Sequence, residues 1–119
     1  MKEKITSFEY TQDKFLYAYL ELFSLLYMDK DSHLKDKEKE FFIENVKLNA
    51  KGIPLIGKGA SAILDGELKF HSRSYRFALK KKGWLIQTKD GIILPPAFDF
   101  KNGYPKELIF KFKFSVKQD

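Results

Sequence analysis

Between Phe15 and Met28 only Glu21 and Ser24 interrupt an otherwise apolar or aromatic run, and this stretch constrains the fold more than any other. Thr11 before it is a good helix cap and Asp13 suits the positive end of a helix dipole, so the spacing predicts a helix running to about Met28. On a helical wheel Phe15, Tyr19, Leu22, Phe23 and Leu26 share one face. Leu16, Leu20 and Leu25 widen the apolar arc beyond half of the circumference, leaving a narrow polar face around Glu21 and Ser24. Such a helix must be covered on more than one side. It is expected to be sandwiched in the monomer core or, in addition, to form the seam of a homodimer through Phe15 to Met28. The run falls short of the roughly 20 residues that a bilayer span requires, so no membrane partner is expected.

The rest of the chain is cut into short elements by glycine and proline. Ile5, Phe8 and Tyr10 suggest an extended entry segment ahead of the long helix. After a polar loop, Leu34 and Glu38 hint at the start of a second helix over about Asp36 to Asn49, with Phe42 and Val46 on one side. Glu38, Glu40 and Glu44 are expected to face water, and Gly52 and Pro54 end the helix. Lys58 to Leu64 reads as a third, short helix, with Asp65-Gly66 as a sharp turn after it. From Ser72 to Lys82 the pattern is helical again, with Ser72 available as cap and Tyr75, Ala78 and Leu79 turned inward. Gly83 stops it. Trp84 to Gln87, a turn at Lys89-Asp90-Gly91, and Ile92 to Leu94 form a hairpin that Pro95-Pro96 closes. Asn102-Gly103 is a further turn signal. Beyond it Leu108, Phe110, Phe112, Phe114 and Val116 alternate with Lys111, Lys113 and Ser115, the period of a strand with one wet face. The two lysines there are read as edge protection.

At 119 residues, with 44% hydrophobic and 16% aromatic side chains, the chain can bury a core as one domain. The absence of cysteine removes disulfides, thiol nucleophiles and thiolate zinc sites, and together with an N-terminus unlike a secretory signal it sets a cytoplasmic expectation. The net charge of +6 is unevenly placed: residues 1–50 carry eight lysines against ten carboxylates, and residues 51–119 carry fourteen bases against six. Between Glu67 and Asp90 there is no carboxylate, while Lys69, Arg73, Arg76, Lys80, Lys81, Lys82 and Lys89 accumulate. A polyanion is the expected partner for that stretch.

The order of short helix, turn, basic helix, Gly83 and hairpin, with the run Leu79-Lys-Lys-Lys-Gly83-Trp84-Leu85 leading to Lys89-Asp90-Gly91-Ile92-Ile93, resembles the recognition helix and wing of the winged helix-turn-helix superfamily. It is also similar to small helix-turn-helix proteins encoded by phages. The resemblance covers about residues 34–96. It implies an α+β fold, a winged helix-turn-helix with an added N-terminal strand and helix (1–30) and a C-terminal β extension (97–119). The implied function is that of a non-catalytic DNA-binding accessory or regulatory protein, contacting duplex DNA through the helix 72–82 and the wing 84–94. The alternative is a protein-binding or virion structural component of the same shape.

The residues support the DNA reading independently. Arg73, Arg76 and Lys80 project from the face opposite Tyr75, Ala78 and Leu79, so packing and binding need not compete. Arg73 and Arg76 are the only arginines in the chain, and arginine can clamp guanine bidentately. Phe77 beside them is placed to touch a thymine methyl or to pack beneath the first helix. Ser72, Ser74, Lys69 and Lys81 complete the expected surface, and Lys89 at the wing tip either meets a phosphate or keeps the turn soluble. Trp84, where helix meets wing, is expected to be buried.

Other chemistry finds little support. Gly52-Ile-Pro-Leu-Ile-Gly57-Lys58-Gly59 nearly spells a phosphate-binding loop, but Gly59 stands where the magnesium-binding hydroxyl belongs and a helix precedes it. The acidic helix face lacks histidine companions for a metal. His71 reads as a helix-start residue and His33 as a loop residue with no evident partner. No spacing of Ser, His and Asp suggests nucleophilic catalysis. No cofactor, metal or small-molecule substrate is expected.

Overall fold

The computed structural model describes residues 9–67, 71–109 and 115–118. Within them the chain is α+β, with four α-helices and a two-stranded antiparallel sheet. Thr11 caps α1 (Gln12–Tyr27) as expected, its hydroxyl accepting from the Lys14 N–H. The polar face is displaced from its expected position. Leu16, Leu20 and Ser24, four residues apart, are the buried stripe, while Leu25, Leu26 and Tyr27 are exposed in the last turn. Ser24 is buried because it continues the stripe of the two leucines. His33, expected to lack a partner, closes the end of this helix. Its Nε2 lies 3.0 Å from the Ser24 carbonyl and 3.2 Å from that of Met28, so the ring nitrogen facing these two acceptors is the protonated one.

A 3₁₀ turn (Lys30–Ser32) leads to α2 (Asp36–Ala50), the central helix, which buries Phe41, Phe42, Ile43 and Val46. Glu38 reaches back to the Lys35 N–H at 2.8 Å; lysine has no acceptor to return, so this is half of a capping box. Lys39–Glu21 and Lys47–Asp13 pair α2 with α1. The exit from α2 follows the expected glycine: Gly52, at φ +83°, donates to the Asn49 carbonyl and Ile53 to that of Leu48.

The glycine-rich segment after it is a packed bend. A side chain on Gly59 would place its Cβ 2.0 Å from the Pro54 carbonyl oxygen, the same oxygen that accepts from the Ala60 N–H. The Ser61 hydroxyl donates to the Leu55 carbonyl at 2.7 Å. These bonds start α3 (Ala60–Glu67) later than predicted and carry it through Asp65 and Gly66, which lie in its last turn rather than in a sharp turn. α4 (Ser72–Lys81) follows, and its C-terminus repeats the α2 exit: Gly83, at φ +84°, donates to Lys80 and Trp84 to Leu79. β1 (Ile86–Thr88) and β2 (Gly91–Ile93) pair with Ile86 opposite Ile93 and Thr88 opposite Gly91, so the predicted hairpin forms around Lys89-Asp90.

Past the hairpin, a 3₁₀ turn (Pro96–Phe98) brings Phe98 and then Phe100 into the core. Phe98 lies 5.0 Å from the Phe42 ring and 5.8 Å from Trp84, and Trp84 lies 5.2 Å from Phe42, all edge-to-face. Sequence patterning placed residues after Pro96 in a β extension, yet these two aromatics complete the same core as α1 and α2. Gly103, at φ +102°, donates to the Phe100 carbonyl in the expected turn. Leu108, Ile109 and Val116 are exposed and belong to no strand. Phe110, Lys111, Phe112, Lys113 and Phe114 of the predicted strand lie outside the described residues, as do Ile5 and Phe8. No helix among the described residues is long and apolar enough to cross a membrane.

Candidate nucleic-acid interface

α4 owes its position to its inward face. Leu79 is fully buried and Tyr75 stacks on Phe41 with ring centroids 5.3 Å apart. The N-terminus does not cap itself: Ser72, expected as the cap, is the first helical residue, and His71 occupies the cap position without a side-chain bond. Asp65 does the work from α3, its carboxylate accepting the Ser72 N–H at 2.9 Å. The Ser72 hydroxyl is buried and donates to the Ser61 carbonyl, so Ser72 joins α3 to α4 and is not offered to a ligand. Hydrogen bonding from Ser72, backbone first, holds the Asp65 carboxyl below its ordinary range, with the charges of Arg76 and His71 acting in the same direction.

Lys82 also turns inward. Its ammonium lies 2.7 Å from Glu38 and 3.3 Å from the His33 carbonyl. Glu38, expected to face water, is buried in consequence. Burial opposes its ionisation, but the Lys35 N–H and the Lys82 ammonium outweigh burial and keep the carboxyl below its ordinary value. One cation of the basic stretch is thus internally neutralised.

The outward face keeps the others. Arg73, Ser74, Phe77, Lys80 and Lys81 are exposed, spaced so that Arg73, Phe77 and Lys80 to Lys81 follow one another up the helix. Phe77 is 69% exposed, which settles its two expected placements in favour of solvent. Arg76 is half-buried: its Nε donates to the Ser72 carbonyl at 3.4 Å, laying the guanidinium back along its own helix toward Asp65. Its terminal nitrogens retain their donors. Lys89 is exposed at the hairpin turn beside exposed Asp90, and Lys69 lies outside the described residues. Lys80 lies 3.5 Å from Gln87 of β1, so the hairpin runs near the basic face of α4. Sequence patterning passed over Gln87 because nothing local distinguishes a strand glutamine that meets a distant helix.

A shallow cleft of about 270 Å³ lies elsewhere, between the Gly52 to Ile56 bend and β2, with Asn49 bonded to Asp99 at its edge. Among the described residues no three His, Asp or Glu side chains converge as a metal site. Comparison with protein-family models, curated proteins and solved structures returned no match for this chain.

Proposed function

We propose that this protein is a non-catalytic DNA-binding protein of winged helix-turn-helix type, with α4 as the helix that enters the major groove and the β1–β2 hairpin as the wing. The observation that carries this reading is the division of α4. Ser72, Tyr75, Leu79 and Lys82 are spent inside the protein, whereas Arg73, Ser74, Phe77, Lys80 and Lys81 stand on the solvent face. The order α2, α3, α4 and hairpin supports it, as does the nearness of Lys80 on α4 to Gln87 on β1. The resemblance to small helix-turn-helix proteins encoded by phages implies the setting of this proposal, an accessory or regulatory role in a host cytoplasm.

A duplex binding measurement titrated with salt tests the proposal. Binding at low salt is expected, with log affinity falling against log salt at a slope of about −3 to −6 per protomer, as phosphates displace counterions. No binding, or a flat dependence, would favour the second reading, a protein-interaction module. That reading has one observation of its own: Leu25 is 75% exposed and Tyr27 68%, an apolar end to α1. Within the DNA reading the same turn is the proposed homodimer seam, narrowed to Leu25, Leu26 and Tyr27 because Leu16, Leu20 and Ser24 are occupied in the monomer core.

A further inference from the structure

Among the described residues Phe77 is the one exposed phenylalanine of the helices, and unlike exposed Tyr27 of α1 it sits among cations of its own helix. Phe41, Phe42 and Trp84 are wholly buried, yet Phe77 leaves more than two thirds of its surface in water at the centre of the basic face. Arg73 lies one turn before it, and Lys80 and Lys81 one turn after. An apolar protein surface that covered the ring would have to strip water from these flanking cations without pairing them, which is costly. A nucleic acid avoids that conflict, because it presents phosphates to the cations and π-faces to the ring within the same few ångströms.

The kind of nucleic acid follows from what a phenyl ring can gain. An intact duplex shows only base edges in its major groove, and these are lined with hydrogen-bonding groups that phenylalanine cannot satisfy, the thymine methyl excepted. Base faces become reachable only where a nucleotide is unstacked. Resting on the DNA reading above, we propose that Phe77 stacks on the face of an unpaired base. The interface then favours a duplex carrying an unstacked nucleotide over the same duplex intact. The cations on either side hold the flanking phosphates while the ring takes the base.

The test compares wild type, Phe77→Ala, Phe77→Leu and Phe77→Trp on two matched duplexes, one intact and one with a single unpaired 2-aminopurine. Because the ring is exposed, each variant should keep the fold, which circular dichroism checks. Wild type is expected to bind the interrupted duplex about tenfold more tightly, the scale of one base–aromatic stack, and to quench the 2-aminopurine. Read as the ratio of each variant's affinities for the two duplexes, Phe77→Ala and Phe77→Leu should lose the preference and the quenching, and Phe77→Trp should retain both. Equal affinity of wild type for the two duplexes, or a preference that survives in Phe77→Ala, would overturn the stacking proposal and leave the DNA reading standing. Failure of wild type to bind either duplex at low salt would overturn both.

Discussion

The Lys82 ammonium lies 2.7 Å from the Glu38 carboxylate and fastens the C-terminal end of α4 to the first turn of α2. Lysines 80, 81 and 82 are adjacent in sequence, but a helix sends the third to the opposite side from the first. Lys82→Ala is therefore expected to cost about 1–3 kcal/mol of stability, the worth of a charge-assisted bond in a partly buried setting. It should leave DNA affinity per folded molecule unchanged, whereas Lys81→Ala should lower affinity and leave stability near wild type. Urea melts and binding isotherms on the two variants separate these outcomes.

The same pair imposes a pH dependence. The Glu38 carboxyl titrates below its ordinary value in the folded state, so its contribution to stability is complete above that ordinary value and is lost as pH falls through the folded one. Wild type should lose stability on acidification more steeply than Glu38→Gln. Urea midpoints followed across the acid range check this, and parallel curves for the two proteins would rule it out.

If α4 is the helix that reads DNA, Arg73 and Arg76 should differ. Replacement of Arg73, fully projecting, should cost about 1–3 kcal/mol on a preferred sequence and much less on random duplex, the signature of base contact. Arg76→Ala should cost less on the preferred sequence, because one of its donors is already held by the Ser72 carbonyl. Lys81→Ala and Lys89→Ala should weaken all duplexes about equally and reduce the salt slope by about one each. Selection from random duplexes, then affinities for the best and a scrambled sequence, provides the readout.

Gly59→Ala should destabilise the protein by about 1–3 kcal/mol, since the added Cβ meets a backbone oxygen that cannot yield as a side-chain tip would. Gly66→Ala, with open space around it and a helical backbone, should be neutral or stabilising. Thermal melts of the pair make the comparison. Retention of wild-type stability by Gly59→Ala would mean that the bend is looser than described.

If the last turn of α1 is a dimer seam, Leu25→Glu should shift the protein toward monomer with no loss of melting temperature in dilute solution. Sedimentation of wild type and variant at tens of micromolar decides it, and a wild type that is monomeric throughout removes the seam.

Much of the architecture was legible because its signals are local. Thr11, Gly52 and Gly83 mark helix boundaries by chemistry that each carries alone, and Lys89-Asp90-Gly91 marks the hairpin in the same way. The inward and outward faces of α4 were legible from its period. What escaped were contacts between elements far apart in sequence. Asp65 looked like half of an Asp-Gly turn because its role is to cap a helix that starts seven residues later. Glu38 looked solvated because its partner is 44 residues away, and Phe98 looked like the start of an extension because the rings it meets come from α1, from α2 and from Trp84 after α4. For the proposed interface, residue types were readable and their exposure was not. Ser72 and Lys82 are withdrawn from it, and Arg76 partly so, by neighbours that no periodicity reveals.

Trp84 is the single tryptophan of the chain, fully buried at the root of the hairpin, with its indole N–H donating to the Ser32 carbonyl. The protein therefore carries a built-in optical gauge. Its emission should sit toward the blue while the hairpin is seated on the loop between α1 and α2, and move to the red when that seat is lost, with no label attached. Trp84→Phe would preserve most of the ring packing while leaving the Ser32 carbonyl without its donor, and Trp84→Ala should cost roughly 3–5 kcal/mol. Because the indole lies several residues from the turn at Lys89 and Asp90, a ligand that touches only the tip should leave the signal still. A spectral shift on binding would report that the hairpin has been levered from its base.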